Sequence, residues 1–429
     1  MKELYAKSPE QGGLTLLAHT LQVASVIVIM AQRYGFNPRL ARLGALLHDL
    51  GKAHDFFQRT VAGDVDETER ITSDPHRHEI SSLLFLPLFD KIDWPILIEM
   101  VAAHHKSASE DIRNRGLIDL VKRNGIDAVI QRHAERWEIW SEMVKPIVEH
   151  KNFKIKFRTI DLNEAKEALL FAYDYCYRMK YGWSKWRGLL MAADHFASEY
   201  MDKAPLLAKS FYRVPNLTYY SRKSDLHPLS LIRSDHRARH TFVIAPTGAG
   251  KTDFLLRRCR GRVVYTLPFQ ASINAMFVRI DENLNGKGET RLSKEQQTDV
   301  RRAHAASKIQ IRDEKGKRVE EEISFQRNPG ASIKITTPHQ IAPIVFGISG
   351  YEAAKLDIAG CDVILDEVHV YDDMARAMML ELVKELVKLN CRVHIGTATI
   401  PTSLANELIK VLGGNRGVYR VTFGKRALE

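Results

Sequence analysis

The sequence predicts two domains of different class in tandem, an all-α domain followed by an α/β domain built on a parallel sheet. Three observations predict it. Apolar residues recur at helical spacing over 14–34, 39–48, 94–105, 163–179 and 185–200, with little strand-like alternation. After about residue 236 the texture changes to short apolar runs at 241–245, 263–267, 333–336, 363–365 and 393–395, separated by helical stretches. Between the two textures, 204–240 carries Pro205, Pro215 and Pro228 among many charges. The expected domains are therefore 1–210 and 236–429, joined by a linker over 211–235.

With 429 residues the chain is long enough for each domain to bury its own core. A formal net charge of +11 favours a polyanionic partner. The cysteines Cys176, Cys259, Cys361 and Cys391 show no CxxC spacing, which argues against a disulfide framework or zinc knuckle and fits a reducing cytoplasm. The polar N-terminus lacks a signal-peptide pattern. The longest apolar stretch, 23–30, is too short to span a bilayer, so no membrane partner is expected. Two segments read as polar excursions: 62–76 as a loop, and 281–329 as a solvated, charge-rich insertion.

In the helical half, His48-Asp49-Leu50-Gly51-Lys52 sits at the end of a predicted helix, with Gly51 as its stop. Adjacent helical residues diverge by about 100°, so a His and an Asp side by side suit a metal beside the helix end, and the two oxygens of Asp49 can bridge two ions. His19, His78, the pair His104-His105 and Asp194 are further polar residues embedded in apolar helical runs. Buried without partners, each costs roughly 2–7 kcal/mol on transfer scales. A shared metal centre accounts for all of them together. A lone histidine is more often a satisfied core residue; the ordered set is what points to metal. His76 is an alternative to His78. His54 and His195 read as bystanders, and His133 and His150 as surface residues.

In the second half, Ala245-Pro246-Thr247-Gly248-Ala249-Gly250-Lys251-Thr252 follows an apolar run and opens a helix, the context of a P-loop. Thr247, Gly248, Ala249 and Gly250 form the turn whose amides face phosphates. Lys251 reaches the β- and γ-phosphates and Thr252 ligates Mg²⁺. Ala245 stands where the common pattern has its first Gly. Downstream, the apolar strand 362–365 ends in Asp366-Glu367-Val368-His369. Asp366 is expected to hold Mg²⁺ through water and Glu367 to orient the attacking water. ATP with Mg²⁺ is the expected ligand.

The order His…His-Asp…His…His-His…Asp resembles the HD phosphohydrolase superfamily, and more specifically the HD nuclease domain of the CRISPR type I nuclease-helicases. The Asp-Glu-Val-His box resembles superfamily 2 helicases. Leu267-Pro268-Phe269-Gln270, Thr336-Thr337-Pro338-His339-Gln340 and Gly396-Thr397-Ala398-Thr399 resemble further motifs of that superfamily, with Thr397 and Thr399 in the one that couples ATP hydrolysis to strand separation. The resemblance implies an HD-type domain followed by a RecA-like domain. It implies one metal held by His19, His48, Asp49 and Asp194 and a second by Asp49, His78, His104 and His105. Five imidazoles suit two transition-metal ions, Mn, Fe, Co, Ni or Zn, better than Mg. Asp49 and Lys52 become catalytic, with Lys52 neutralising charge that builds on the phosphate.

The implied activity is metal-dependent cleavage of single-stranded DNA coupled to an ATP-driven motor. The implied partners are single-stranded DNA and a guide-RNA surveillance complex. Residues 236–429 account for one RecA-like domain, so the second helicase half is expected either further along a longer chain or as a separate second helicase half, with weak ATP turnover and no processive unwinding by this chain alone. No Gln for reading adenine appears at 226–233. The rival readings are an HD nucleotide phosphohydrolase and a catalytically incomplete nucleic-acid-binding half-motor.

Overall fold

A computed structural model describes residues 3–8, 13–65, 76–105, 107–110, 115–179, 184–210, 212–221, 227–293, 295–303, 329–347, 350–371 and 373–423. The expectations for most of 62–76 and for 304–328 lie outside the described residues. Contacts divide the chain into two compact units, Met1–Lys209 and Ser210–Glu429.

The first unit is helical. Its axis is α1 (Leu16–Tyr34), started by Thr15, whose hydroxyl accepts from the Ala18 amide at 3.2 Å. By length and composition α1 could cross a membrane, and its 19 residues outrun the apolar stretch visible in the sequence. Here it is a core helix, packed on α2 (Pro38–Leu47) and α6 (Lys185–Tyr200), with Val23, Val26, Ile27 and Met30 fully buried. Asn37 caps α2 and Pro38 opens it. Helix α3 (His78–Ser82), helix α4 (Trp94–Val101) and helix α5 (Leu162–Arg178) complete the frame around the histidines. Helix α4 ends earlier than expected, so His104 and His105 lie on the turn that follows it.

One glycine sets the geometry of this unit. A Cβ on Gly51 would collide with the His78 carbonyl, the Ser82 backbone nitrogen and the Ser81 side chain. Its amide donates to Ser82 Oγ at 2.8 Å, and Ser82 Oγ donates to the His48 carbonyl at 2.8 Å. The start of α3, and with it His78, can therefore lie directly on the His48-Asp49 turn.

Among its described residues the second unit forms a seven-stranded sheet in the order β3-β4-β2-β5-β6-β1-β7, with every pairing parallel. The strands are β1 (His240–Ile244), β2 (Val263–Thr266), β3 (Val300–Ala303), β4 (Ile333–Thr336), β5 (Asp362–Asp366), β6 (Arg392–Thr397) and β7 (Val418–Thr422). Helices α7 (Lys251–Arg258), α8 (Gln270–Asn285), α9 (Asp373–Lys388) and α10 (Thr402–Val411) connect them. β5 is buried along its whole length, as a central parallel strand must be.

Two expectations are corrected here. The supposed linker 211–235 contributes Tyr220 and Leu229 to the core of the second unit. Leu229 also donates its amide to the Ala249 carbonyl at 3.1 Å. The supposed solvated insertion supplies edge strand β3, and Arg301 within it is 1 % exposed. Its guanidinium is neutralised in place by Asp299, at 2.5 Å, and by the Pro329 carbonyl at 3.3 Å.

Candidate metal centre and nucleotide site

In the first unit the chain brings His19, His48, Asp49, His78, His104, His105 and Asp194 together. Donor atoms of Asp49, His78, His104 and His105 lie within 4.8 Å of one another, and those of His19, His48 and Asp194 form a second such set. Asp49 stands between the sets. Its Oδ2 lies 3.2 Å from His19 Nε2 and 3.3 Å from His48 Nε2. Its Oδ1 lies 3.2 Å from His78 Nε2 and 4.0 Å from His104 Nε2. Asp194 Oδ1 lies 3.1 Å from His19 Nε2.

The orientation of two imidazoles is fixed from behind. His48 Nδ1 donates to the Ala45 carbonyl at 2.6 Å and His104 Nδ1 to the Val101 carbonyl at 2.8 Å. With the proton held on Nδ1, the Nε2 lone pair faces the centre, the usual arrangement of a metal-ligating histidine. Asp49 Oδ1 and the Nε2 atoms of His48, His78 and His104 are buried and make no hydrogen bond, while Asp49 Oδ2 is held by the ion pair with Lys52. Such converging, unpaired donor atoms are costly in an apolar interior and are what a pair of divalent cations would satisfy. The donor set of five imidazoles and two carboxylates fits transition metals.

Charge follows the same design. Burial works to raise the Asp49 carboxyl, but His48, Lys52 and the bond from His19 outweigh it and hold it well below the usual range. Asp194 is likewise held low, against burial, by His19 and His48. Burial, then the neighbouring His105, keeps His104 well below its ordinary value, and burial brings His105 to about 4. Neutral imidazoles and ionised carboxylates are the forms that ligate. Lys52 Nζ lies 2.7 Å from Asp49 Oδ2, so an ammonium is already placed beside the bridging carboxylate.

His76, the alternative to His78, packs with the expected bystander His54 and with His133. His76 lies 3.2 Å from Ser81 Oγ, with its ring 4.1 Å from that of His54 and 5.0 Å from that of His133. His133 is 1 % exposed and lies 2.8 Å from Ser81, which corrects the expectation of a surface residue. Burial lowers His54 to about 4 and His133 to about 3, so this group is neutral packing behind α3.

In the second unit, the P-loop runs from the end of β1 to the start of α7. Gly250 caps α7 with φ 87°, and a Cβ there would meet His227 at 2.8 Å. His227 Nδ1 donates to the Gly248 carbonyl at 3.0 Å. Thr247 and Ala249 lie in the same turn. Lys251 Nζ donates to the carbonyls of Ala245 (3.0 Å) and Pro246 (3.3 Å) and lies 3.7 Å from Glu367 Oε1. It must exchange these carbonyls for phosphate oxygens when nucleotide enters.

Asp366 and Glu367 stand at the carboxyl end of β5, facing the P-loop crevice as expected of a nucleotide-binding parallel sheet. Glu367 adopts a left-handed conformation, φ 55°, which a non-glycine residue pays for in strain. His369 Nδ1 lies 3.2 Å from Glu367 Oε2 and 3.2 Å from Thr397 Oγ1, which donates to the Thr399 carbonyl at 2.6 Å. A continuous chain of polar contacts thus joins the end of β6 to Glu367. Tyr265 was missed by the sequence reading. Its hydroxyl donates to Asp366 Oδ2 at 2.5 Å and lies 3.5 Å from Thr252 Oγ1, so it touches both expected Mg²⁺ ligands. A single tyrosine in an apolar strand gives no sign of this. Asp366, Thr252 and the P-loop amides are the hard oxygen donors and anion cradle that Mg²⁺ and a nucleotide phosphate require.

Comparison with known proteins agrees with both halves. The HD domain family model matches residues 16–158, and the DEAD/DEAH box helicase model matches residues 229–407. The chain is 24% identical over 166 residues to the CRISPR-associated nuclease/helicase Cas3 of Methanothermobacter thermautotrophicus, covering 37% of this chain and 19% of that protein. It is 38% identical over 79 residues to Ribonuclease Y of Rubrobacter xylanophilus, covering 16% and 15%. Among solved structures, T. fusca Cas3 superposes with a TM-score of 0.59 at 19% identity, covering 99% of this chain and 52% of that one. T. fusca Cas3 with AMPPNP gives 0.57 at 18%, covering 99% and 53%. The chain thus spans about half the length of the solved chains it matches, and far less of the curated relatives. A helical HD domain followed by a parallel-sheet DEAD/DEAH box helicase domain, in the order and fold of those structures, makes the chain Cas3-like in its domain architecture.

Proposed function

We propose that this chain is a metal-dependent single-stranded DNA nuclease coupled to a superfamily 2 ATPase motor, acting in CRISPR type I interference in the cytoplasm. The convergence of seven imidazole and carboxylate side chains, with buried ligand atoms left unpaired around Asp49, carries the reading. We assign His19, His48, Asp49 and Asp194 to one ion and Asp49, His78, His104 and His105 to the other. When bound, such a pair of ions supplies Lewis-acid polarisation of the phosphodiester and an acidified water.

The chain's own residues do the rest. Asp49 spans the two ligand sets and fixes their spacing. The Ala45 and Val101 carbonyls hold His48 and His104 in the ligating tautomer. Lys52 faces the negative charge that develops on the scissile phosphate. In the second unit, Lys251 and the amides of Thr247 to Gly250 hold the nucleotide phosphates, Thr252 and Asp366 orient Mg²⁺, and Glu367 orients the attacking water. The Thr399-Thr397-His369-Glu367 contacts are the route by which nucleotide state reaches the nucleic-acid-binding face.

The partners we propose are single-stranded DNA, a guide-RNA surveillance complex and a second helicase half. The described residues hold a single RecA-like sheet, one wall of a nucleotide cleft.

The test is cleavage of a single-stranded DNA oligonucleotide and of a deoxynucleoside triphosphate, side by side, with Mn²⁺, Ni²⁺, Co²⁺ and Mg²⁺. Oligonucleotide cleavage with a transition metal supports the reading. Hydrolysis of the triphosphate with no cut in the oligonucleotide replaces it with a nucleotide phosphohydrolase.

A further inference from the structure

Beside the two ligand sets of the HD centre lies a third group, which shares His105 and Asp194 with them and adds His195, a residue the proposed two-ion chemistry leaves unused. Donor atoms of His105, Asp194 and His195 lie within 4.8 Å of one another. The carboxylate of Asp194 is split between neighbours. Oδ1 lies 3.1 Å from His19 and accepts from Ser198 Oγ at 3.4 Å, while Oδ2 turns the other way, 4.0 Å from His105 Nε2. His195 follows Asp194 on α6 and is exposed, and the His105 side chain is one-third exposed. This group therefore lies on the solvent side of the centre, where a substrate arrives.

We propose that His105, Asp194 and His195 form a third divalent-cation position at the mouth of the HD centre, occupied when a phosphate anion is bound there. The inference rests on the two-ion reading above. A carboxylate can bridge two ions through its two oxygens, so Asp194 can serve His19 and His48 through Oδ1 and the new position through Oδ2. One imidazole nitrogen holds one ion, so His105 is the exchangeable ligand. If it turns to the third ion, the second still keeps Asp49, His78 and His104.

Charge explains why an anion is needed. The centre supplies the carboxylates of Asp49 and Asp194 against the ammonium of Lys52, with Glu79 already paired to Arg77 at 2.8 Å. Two divalent ions leave the site strongly positive, and a third ion is repelled until a phosphate brings negative charge and further oxygen ligands. The third ion would then sit on the phosphate's exposed side, held to the protein by His195.

The experiment counts Mn²⁺ bound per chain by equilibrium dialysis, with and without thymidine monophosphate, in the wild-type chain, His195→Ala and His195→Gln. Because His195 is exposed, both variants should fold, and thermal unfolding checks that they do. The expected result is an increment of one ion on adding thymidine monophosphate that is present in the wild type and absent in both variants. Any ion recruited at the nucleotide site is common to all three proteins and cancels in the comparison. No difference between wild type and variants in that increment overturns the third position. The count without thymidine monophosphate reads the two-ion centre separately: two ions support it, and fewer than two overturn it and the third position with it.

Discussion

Tyr265 on β2 donates its phenolic hydrogen to Asp366 at the end of β5 across 2.5 Å, inside the fully buried floor of the nucleotide cleft. Burial pushes Asp366 up to about 6; the tyrosine bond works against that rise and the charge of Glu367 adds to it. A protonated Asp366 cannot serve Mg²⁺, so Mg²⁺-dependent nucleotide binding should be full well above pH 6 and decline as pH falls through about 6. Removing the hydroxyl with Tyr265→Phe withdraws an interaction that favours the carboxylate, so the decline should move to higher pH. A hydrogen bond to a charged group is worth about 1.5–3 kcal/mol, so the Mg²⁺ needed for half-maximal nucleotide binding at neutral pH should rise on the order of tenfold. Titration of a fluorescent nucleotide against Mg²⁺ at several pH values measures both effects.

Gly51→Ala tests how the centre is assembled. The added methyl has no room between the His48-Asp49 turn and the start of α3. Overpacking of this kind costs about 1–3 kcal/mol. The first unit should unfold at lower temperature, and the displaced α3 should carry His78 away from Asp49. Metal content should fall toward the ion that does not use His78.

Lys52→Ala separates charge stabilisation from metal holding. Lys52 touches Asp49 but belongs to neither ligand set. Loss of one preorganised donor at developing charge typically costs about 10²–10³ in kcat. Steady-state cleavage of single-stranded DNA should show that fall with metal content retained. A loss of bound metal equal to the loss of rate would make Lys52 a structural residue.

The opposite end of β5 gives a stability prediction. Asp362, at the start of β5, receives His394 Nε2 at 2.8 Å, Arg392 at 2.6 Å and the amides of Arg260 and Gly261 at 2.8 and 2.6 Å. Burial alone would raise its carboxyl, but His394 and Arg392 outweigh burial and hold it at about 2. A depressed carboxyl stabilises the fold fully above its unfolded value, about 3.9, and that contribution disappears as pH falls toward 2. The second unit should lose stability across that window. Asp362→Asn should remove the dependence and, by stripping a buried charge of its partner, cost about 3–5 kcal/mol at neutral pH. Chemical denaturation followed from pH 7 to pH 2 measures it.

The residues that bear chemistry were more legible than their surroundings. A histidine or aspartate inside an apolar helical run is conspicuous because burial without a partner is expensive, and that rule alone singled out His19, His48, Asp49, His104 and Asp194. The parallel sheet could be read from its short apolar strands, since central strands such as β5 are buried on both faces. Long-range compensation could not be read. His133 looked like a surface residue because the partner that lets it be buried, Ser81, lies 52 residues away. β3 was hidden because Arg301 reads as solvated until Asp299 and the Pro329 carbonyl are seen to neutralise it. Tyr265 read as core because its partner Asp366 is 101 residues further on.

The claim on which the account stands is that Asp49 bridges two cations, one against each carboxylate oxygen. Anomalous diffraction from crystals soaked in Mn²⁺ locates them directly. The account predicts two peaks flanking Asp49, one shared with His19, His48 and Asp194, the other with His78, His104 and His105. A solitary peak, or ions bound elsewhere with Asp49 left on Lys52 alone, would contradict it.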